Sequence, residues 1–249
     1  MDVIRSIDIN CDLGEGMNND ADLMPYISSC NIACGGHFGT NETIRTTIRL
    51  AKKHKVKVGA HPSYPDKDNF GRKRLNISPS ELAESIFTQI FNFLTVCAEE
   101  GIIPNHIKLH GALYNVAATD EPTAKTIATT LGILNQSIPV YTPPNSILAQ
   151  QLSNSISVVS EAFLDRRYQD DGNLVNRIEE NALILSPELA WKQLKQLYFD
   201  REVTSVIGTK IPMDAETYCL HGDGENALEI AQFIHEKLKE HGINLQKDA

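Results

Sequence analysis

Histidines and acidic residues recur at the ends of strand-like segments in this 249-residue chain. Each stands before a glycine or a turn: Asp12, His61, His110, Asp165 and His221, with His37 just beyond another segment. Imidazole and carboxylate groups act as general acids and bases, and they also bind divalent metals. Because the carboxyl ends of parallel strands meet at one rim, where active sites lie, the pattern predicts an active site built from several loops.

The first strand-like segment, residues 7–13, alternates apolar and polar side chains, so Asp8, Asn10 and Asp12 share one face. Both faces of a strand are covered in a parallel α/β protein. Three polar side chains would be costly to bury there unless they were paired or bound a ligand. We therefore expect these residues to have a function, with Asp12 nearest the reacting atoms and the other two as supports.

Lys108 and His110 share a face of a later segment, and Glu161 and Asp165 are in phase on another. A lysine on an inward strand face beside acidic groups is a candidate proton carrier, because burial lowers its pKa while carboxylates raise it. The alternative is a structural ion pair between Lys108 and Asp12. Since buried pairs often add little net stability, we favour the functional interpretation.

A divalent metal is a second use for the same side chains, with candidate ligands Asp8, Asp12, His37, His61, His110 and His221. No tight spacing such as His-Glu-x-x-His supports it, so acid–base chemistry and metal binding both stay open. The remaining histidines are expected on the surface or in packing, without polar partners: His54, His106, His235 and His241.

Three arginines, Arg72, Arg166 and Arg167, lie in loops of the same rim and could clamp a carboxylate or phosphate bidentately, although surface charge is preferred for Arg167. Cys30, Cys34 and Cys219 are expected to pack in the core. The sequence contains neither a Gly-x-Ser-x-Gly nucleophile motif nor a Walker-type phosphate loop, so it offers no evident nucleotide site of its own.

Strands and helices that alternate along the chain must position these residues. The pattern gives seven βα units, with strands near residues 7–13, 28–34, 56–61, 106–111, 139–142, 158–163 and 217–221. Ser78, Pro79 and Glu81 mark a helix start, and Gly101 marks its end. Repeated βα units imply parallel strands joined by right-handed crossovers. A closed or nearly closed barrel is our first expectation, and an open doubly wound sheet is the second.

Composition narrows the class of protein. A formal net charge of -9 argues against nucleic-acid binding, which needs a basic patch. We expect no membrane association, since the first residues show no apolar leader and no run approaches the length of a span. The five cysteines have no disulfide-framework spacing, which indicates a reduced cytoplasmic setting.

Longer motifs resemble those of the LamB/YcsF family, whose members are also called the A subunit of 5-oxoprolinase. They cover nearly the whole chain in order: DINCDLGEG at 8–16, NIACGGH at 31–37, GAHPSYPD at 59–66, FGR at 70–72, KLHGALYN at 108–115, EAFLDR at 161–166 and CLHGD at 219–223. Leu109 and Asn176 stand where the family usually has proline, which affects the expected loop geometry more than the chemistry.

The resemblance implies a seven-stranded parallel β/α barrel related to the glycoside hydrolase/deacetylase fold, formed by residues 1–249 as a single domain. It also implies ATP-dependent cleavage of 5-oxo-L-proline to L-glutamate together with partner subunits B and C. ATP would then be handled partly or wholly by those partners. The alternatives are a stand-alone metal-dependent hydrolase acting on a sugar derivative or an N-acyl group, and a non-catalytic lactam-binding subunit.

In this interpretation the ring carbon is attacked by water. Asp12 with His61 or His110 would be the general base, and Lys108 would stabilise negative charge on oxygen. Asp8 and Asn10 would hold these groups in place. The expected substrate-binding residues are His37, Arg72, Glu161, Asp165, Arg166 and His221.

Overall fold

Seven parallel strands close into a barrel in the computed structural model, which describes residues 5–134, 137–152 and 155–247. The strands are β1 Arg5–Leu13, β2 Ser29–Ala33, β3 Lys57–His61, β4 His106–Lys108, β5 Val140–Thr142, β6 Val158–Phe163, β7 Glu202–Thr204, β8 Lys210–Pro212, β9 Thr217–His221 and β10 Ile243–Leu245. The helices are α1 Asp20–Leu23, α2 Asn41–His54, α3 Pro79–Glu100, α4 Gly111–Thr119, α5 Glu121–Ile133, α6 Ile147–Leu152, α7 Pro187–Lys195 and α8 Ala227–Glu240. A 3₁₀ turn, Met24–Tyr26, and a π-helical turn, Gln196–Asp200, complete the regular structure.

Closure of the barrel comes from the pairing of its first and last strands. The order is β1, β2, β3, β4, β5, β6 and β9, and β9 pairs in parallel with β1, so that Asp8 lies opposite Thr217 and Asp12 opposite His221. This confirms the predicted seven-stranded parallel barrel. It also excludes the open doubly wound sheet that was the second expectation.

Three short strands lie outside the predicted set. β7 and β8 form a separate antiparallel pair, and β10 pairs in parallel with the first residues of β1. Each is three residues long, too short to show an alternating pattern. The prediction was also wrong at residues 109–119, where the fourth strand ends at Lys108 and α4 begins at Gly111.

The predicted helix signals are confirmed where side chains cap the helix. The Ser78 hydroxyl accepts from the Glu81 N–H and the Glu81 carboxylate accepts from the Ser78 N–H, while Gly101 ends α3 in a left-handed conformation, φ +66°. Among the described residues, no helix combines the length and the apolar character that crossing a membrane requires.

The two faces of the barrel strands differ in polarity. Along β1, Ile7, Ile9, Cys11 and Leu13 join the apolar core cluster. The alternating residues of the same strand, Asp8, Asn10 and Asp12, are buried and bond to polar side chains of neighbouring barrel strands. The alternation predicted for β1 therefore places a polar network in the barrel interior, where α/β barrels usually carry layers of branched apolar residues.

Candidate active site

A cavity of about 910 Å³ opens at the carboxyl ends of the barrel strands. Several predicted site residues line it: Asp12, His61, Arg72, Lys108, His110, Glu161, Arg166 and His221. The other predicted residues do not line the cavity: Asn10, His37 and Asp165 contact residues that do, whereas Asp8 bonds to Ser29 and Thr217. The structure therefore brings the predicted set together around one cavity and divides it into wall and support.

Lys108 is the centre of the cavity floor and is only 2% exposed. Its ammonium lies 3.0 Å from Asp12 Oδ1 and 3.0 Å from Glu161 Oε1. It also donates to Asn10 Oδ1 at 3.3 Å and to Cys219 Sγ at 2.9 Å. Four groups on three other strands thus fix the position of one charged nitrogen.

The charges of this floor stabilise each other. Burial alone would lower the pKa of Lys108, but Asp12, Cys219 and Glu161 raise it well above its usual value. Burial would likewise raise the pKa of Asp12, whereas His61 and Lys108 hold it well below the ordinary range. The floor therefore carries a protonated lysine against an ionised aspartate. One oxygen of the second carboxylate, Glu161 Oε2, is buried without a hydrogen-bond partner in the described part of the chain.

Two imidazoles stand beside Asp12 with their orientations fixed by backbone carbonyls. His61 Nδ1 donates to the Lys108 carbonyl at 2.8 Å, and His110 Nε2 donates to the Phe70 carbonyl at 3.0 Å. The remaining nitrogens, His61 Nε2 and His110 Nδ1, face each other at 2.9 Å, and Asp12 Oδ2 lies 3.3 Å from His61 Nε2. The space between these two nitrogens and the Asp12 oxygen can accept a proton or a cation.

Glu15 completes this cluster and was not predicted as a site residue. Its carboxyl lies 2.9 Å from His37 Nε2 and 3.3 Å from His110 Nδ1. Burial and the Asp12 and Asp223 charges raise the pKa of Glu15 well above its usual value. Burial lowers the pKa of His37 to about 3. A protonated carboxyl beside neutral imidazoles is therefore the arrangement that these surroundings favour.

His37 and His110 form a stacked pair that backs the cavity wall. Their ring centroids lie 3.7 Å apart with an interplanar angle of 7°. Burial, with His37 and His61 next to it, also lowers the pKa of His110 well below its ordinary value. Two stacked neutral rings avoid the repulsion that two imidazolium ions would have, so the stack and the pKa shifts agree.

Asn31 connects the floor to the layer below it and was not predicted as a site residue either. Its side-chain amide donates to Asp12 Oδ1 at 2.7 Å and to Asn10 Oδ1 at 2.8 Å. Asn10 in turn donates to Glu161 Oε1 at 2.9 Å and to Thr217 Oγ1 at 2.8 Å. The amides of Asn10 and Asn31 thus set the positions of the carboxylates that pair with Lys108.

Asp8 lies at the end of the polar face of β1 that is farther from the cavity. Its carboxylate accepts from Ser29 at 2.8 Å and from Thr217 at 2.6 Å, and it lies 3.2 Å from Lys57 Nζ. None of these contacts reaches the cavity floor directly. The position of Asp8 is consistent with the supporting role expected from the alternation of β1.

His106 contradicts the prediction that it has no polar partner. It is fully buried, its Nε2 donates to Asn31 Oδ1 at 2.6 Å, and its ring stacks on Tyr141 at 4.0 Å. The ring fits because Gly59, its partner in register on β3, has no side chain; a Cβ there would overlap the imidazole. The sequence did not reveal this role, since His106 directly follows a loop and its partners lie on other strands.

The arginines of the rim fall into two groups. Arg72 and Arg177 both pair with the carboxylate of Asp223, with Arg177 Nη2 at 3.0 Å. Arg166 is buried and donates from Nη2 to the Val175 carbonyl at 2.7 Å. Asp165, next to it, accepts from both the backbone N–H and the ring of His221, at 2.8 and 3.0 Å. Asp165 therefore orients His221 at the cavity wall.

The sequence model of the LamB/YcsF family matches residues 7–249 of the chain. The chain belongs to the LamB/YcsF family. The resemblance predicted from the motifs is therefore confirmed. This member of the family is similar to proteins named as the A subunit of 5-oxoprolinase, with 42% identity to that of Bacillus thuringiensis subsp. konkukian (strain 97-27) and 41% to that of Bacillus cereus (strain B4264). Each comparison covers 97% of this chain and 98% of the relative.

One solved structure agrees with the family assignment, and a second shares the fold. The lactam utilization protein of Thermus thermophilus superposes with a TM-score of 0.90 at 33% identity, covering 97% of this chain and 99% of that one. A putative cellobiose-phosphate cleavage protein of Enterococcus faecalis V583 shares the fold at a TM-score of 0.60 and 15% identity, covering 98% and 97%. The second likeness concerns the fold alone.

Among the residues that the structure describes, three groups of side chains could hold a metal ion: Asp12, His61 and His110; Asp12, Cys219 and His221; and Glu15, His37 and His110. The first fits a divalent ion best, because both imidazoles keep a free ring nitrogen and His61 Nε2 lies 3.3 Å from Asp12 Oδ2. The three ligand atoms lie within 4.8 Å of one another. In the second, burial raises the pKa of the Cys219 thiol well above its usual value, which disfavours the thiolate that a metal needs.

Proposed function

We propose that this chain is the ring-opening subunit of an ATP-dependent 5-oxoprolinase, which converts 5-oxo-L-proline to L-glutamate together with partner subunits B and C. The observation that carries the proposal is the ionised Asp12 held between Lys108 and His61 on the floor of a cavity. The curated relatives supply the substrate, since they are named as the A subunit of 5-oxoprolinase. Residues 1–249 would act as one domain.

The chemistry requires an activated lactam, because the carbonyl carbon of an amide is a poor electrophile. Transfer of a phosphoryl group from ATP to the lactam oxygen turns that oxygen into a leaving group. The absence of a phosphate loop from the sequence favours ATP being handled by the partner subunits. Water then adds to the ring carbon, the carbon–nitrogen bond breaks and the nitrogen takes up a proton. A second water hydrolyses the resulting acyl phosphate to the carboxylate and phosphate.

The cavity floor supplies the groups for these steps. His61 Nε2 or His110 Nδ1 removes a proton from the attacking water, and Asp12 stabilises the imidazolium that forms. Lys108 stabilises negative charge on the oxygen of the tetrahedral intermediate. The imidazolium then passes this proton to the ring nitrogen as the carbon–nitrogen bond breaks. The Glu15 carboxyl, 3.3 Å from His110 Nδ1, lies next to this proton transfer.

The remaining predicted residues bind or position. Glu161, His221, Arg72 and Arg166 line the cavity and would contact the substrate. His37 and Asp165 stand behind the wall and would hold His110 and His221 in place. Asp8 and Asn10 would act through the residues that they hold.

Reconstitution with candidate B and C subunits tests the proposal. Glutamate formation from 5-oxo-L-proline is expected only with ATP and all three chains. Asp12→Asn should lower kcat by about 10²–10⁴-fold, the usual contribution of acid–base catalysis, because the amide cannot stabilise an imidazolium. Asp22→Asn, which changes an exposed aspartate of α1 in the same way, is the matched control and should retain activity. Equal turnover by both variants would falsify the assignment of Asp12.

A second candidate function rests on the donor set of Asp12, His61 and His110. With a divalent ion there, the chain would act alone as a hydrolase of a sugar derivative or an N-acyl group. The ion would supply Lewis-acid polarisation of a carbonyl oxygen. This candidate predicts stoichiometric metal in the purified chain by mass spectrometry and activity without ATP. The ring-opening proposal requires ATP for turnover.

A further inference from the structure

Arg166 is a buried cation without an acidic partner. Its side chain lines the cavity and the residue is only 5% exposed. Nη2 donates to the Val175 carbonyl at 2.7 Å, and the buried Nε has no hydrogen-bond partner among the residues described. Within residues 5–134, 137–152 and 155–247, no carboxylate oxygen lies within 4.0 Å of its guanidinium, so its charge has no direct counter-ion there.

A buried charge without a partner is unfavourable, and proteins normally pair such groups or use them to bind a ligand. Burial lowers the pKa of Arg166, which is the expected effect of removing a guanidinium from water. The neighbouring Asp165 opposes this shift, but both of its oxygens face the backbone N–H or ring of His221. An anion in the cavity would give Arg166 the partner that the protein does not supply.

The other arginines that line the cavity already have an acidic partner. Arg72 and Arg177 share the carboxylate of Asp223, and the side chain of Arg72 is 37% exposed. An incoming anion would have to compete with Asp223 for either of them. Arg166 has no such competitor, so it is the arginine from which an anion gains most.

The backbone around Arg166 is held on two sides. Arg166 forms an antiparallel bridge with Leu183, and its carbonyl accepts from Gln193 Nε2 of α7 at 2.7 Å. The same amide donates to the Phe163 carbonyl at the end of β6, also at 2.7 Å. A guanidinium fixed before the ligand arrives loses little conformational entropy on binding, which strengthens recognition.

We infer that Arg166 recognises the carboxylate of the substrate and thereby selects cyclic amides that carry a carboxylate over those that do not. The inference rests on the proposed ring-opening function and adds the residue that sets this selectivity. A guanidinium and a carboxylate can form two parallel hydrogen bonds, which fix orientation as well as charge. The phosphoryl group of an activated lactam presents the same chemistry, so the test must separate the two sources.

Isothermal titration calorimetry of the full chain provides the test, with 5-oxo-L-proline, 2-pyrrolidinone and inorganic phosphate as probes. 2-Pyrrolidinone has the same ring without the carboxylate. We expect at least about 100-fold tighter binding of 5-oxo-L-proline, because a site built for a polar group discriminates strongly against the analogue that lacks it. In Arg166→Gln the two affinities should become equal to within about threefold, since a neutral amide cannot replace the ionic contact.

Two further variants keep the test decisive. Arg166→Lys retains the charge without the bidentate geometry and should lose about tenfold in affinity for 5-oxo-L-proline, which also covers a failure of Arg166→Gln to fold. Arg177→Gln removes a cavity arginine that already has Asp223 as partner, and it should leave the preference for the carboxylate intact.

Three outcomes would overturn the inference. The first is an Arg166→Gln preference equal to that of the wild type, and the second is wild-type binding of neither lactam. The third is tight phosphate binding that Arg166→Gln abolishes while 5-oxo-L-proline binding is unchanged, which would assign Arg166 to the phosphoryl group. These measurements need neither ATP nor partner chains. Glutamate formation by the reconstituted complex therefore tests the proposed function separately.

Discussion

The inner and outer faces of the same barrel strands follow different physical rules. On β4, the side chain of Ile107 joins the apolar core cluster, while the next residue, Lys108, is equally buried among two carboxylates, an amide and a thiol. The outer face is held by non-directional apolar contacts that tolerate exchange of similar residues. The inner face depends on charges and hydrogen bonds that each need a particular partner.

Because of this difference, the residues that stabilise the fold lie on the outer face, and the residues available for chemistry lie on the inner face. Apolar burial between strands and helices can hold the barrel together, so the interior is free to contain groups that burial penalises. On the barrel strands such a group needs compensation, which Asp12 and Glu161 give to Lys108. The comparison can be tested by parallel substitutions on the two faces.

Lys108→Met should have the largest effect. Removal of the ammonium leaves Asp12 and Glu161 buried without their counter-ion, and breaking a buried pair costs about 3–5 kcal/mol of unfolding free energy. Urea denaturation measures the loss. Ile107→Val, on the neighbouring outward position, should cost only about 0.5–1.5 kcal/mol. If both variants were equally stable, the interior would not depend on charge pairing.

Gly59→Ala comes next, because a methyl group at this position overlaps the ring of His106. We expect a loss of about 1–3 kcal/mol, typical of overpacking. The double variant Gly59→Ala with His106→Ala should be less destabilised than the sum of the single variants, since the space vacated by the ring accepts the methyl group. Strict additivity in thermal or urea unfolding would contradict the packing seen between β3 and β4.

Glu15→Gln should have an effect that depends on pH and is smallest at low pH. The folded pKa of Glu15 is raised, so its protonated form stabilises the fold at low pH, and this contribution is lost as pH rises above the unfolded value of about 4.3 towards the folded pKa. Glutamine stays neutral. Relative to wild type, the variant should therefore gain up to about 1.4 kcal/mol per pH unit within that window. Urea titrations at pH 5, 6 and 7 check this, and a constant difference would argue against a buried protonated Glu15.

The smallest effect is expected at Ile103, an apolar residue that is 90% exposed and belongs to neither face of the barrel. Ile103→Thr should change the unfolding free energy by less than about 0.5 kcal/mol, as surface substitutions usually do. Thermal unfolding provides the measurement. A larger loss would show that the contrast between the faces extends beyond the barrel strands.

Local patterns made much of the fold predictable. The alternation of β1 and the capping residues of α3 depend on neighbours in sequence, so one segment suffices to read them. Closure of the barrel depends on pairing between β1 and β9, which lie more than 200 residues apart, so no local pattern distinguishes a closed from an open sheet. α4 was missed because it begins without a capping side chain directly after a strand-like run.

The site was predictable where it lies at strand ends, and less so where it depends on contacts between strands. Glu15 stands between two glycines and resembles a turn residue, although a single acid directly after a polar strand was a usable signal. Asn31 lies within a largely apolar run, and only its register opposite Asp12 reveals its role. His106 acquires its place from the space above Gly59 on another strand.

The pairing of β1 with β9 also has a consequence for biosynthesis. Asp12 lies on the first barrel strand to leave the ribosome, and its register partner His221 lies on the last. A nascent chain therefore carries an open-edged sheet in which Asp8 and Asp165 lack their partners Thr217 and His221 until β9 emerges. The barrel and the floor of its cavity then form in the same late, long-range event, so chains interrupted during translation should have neither.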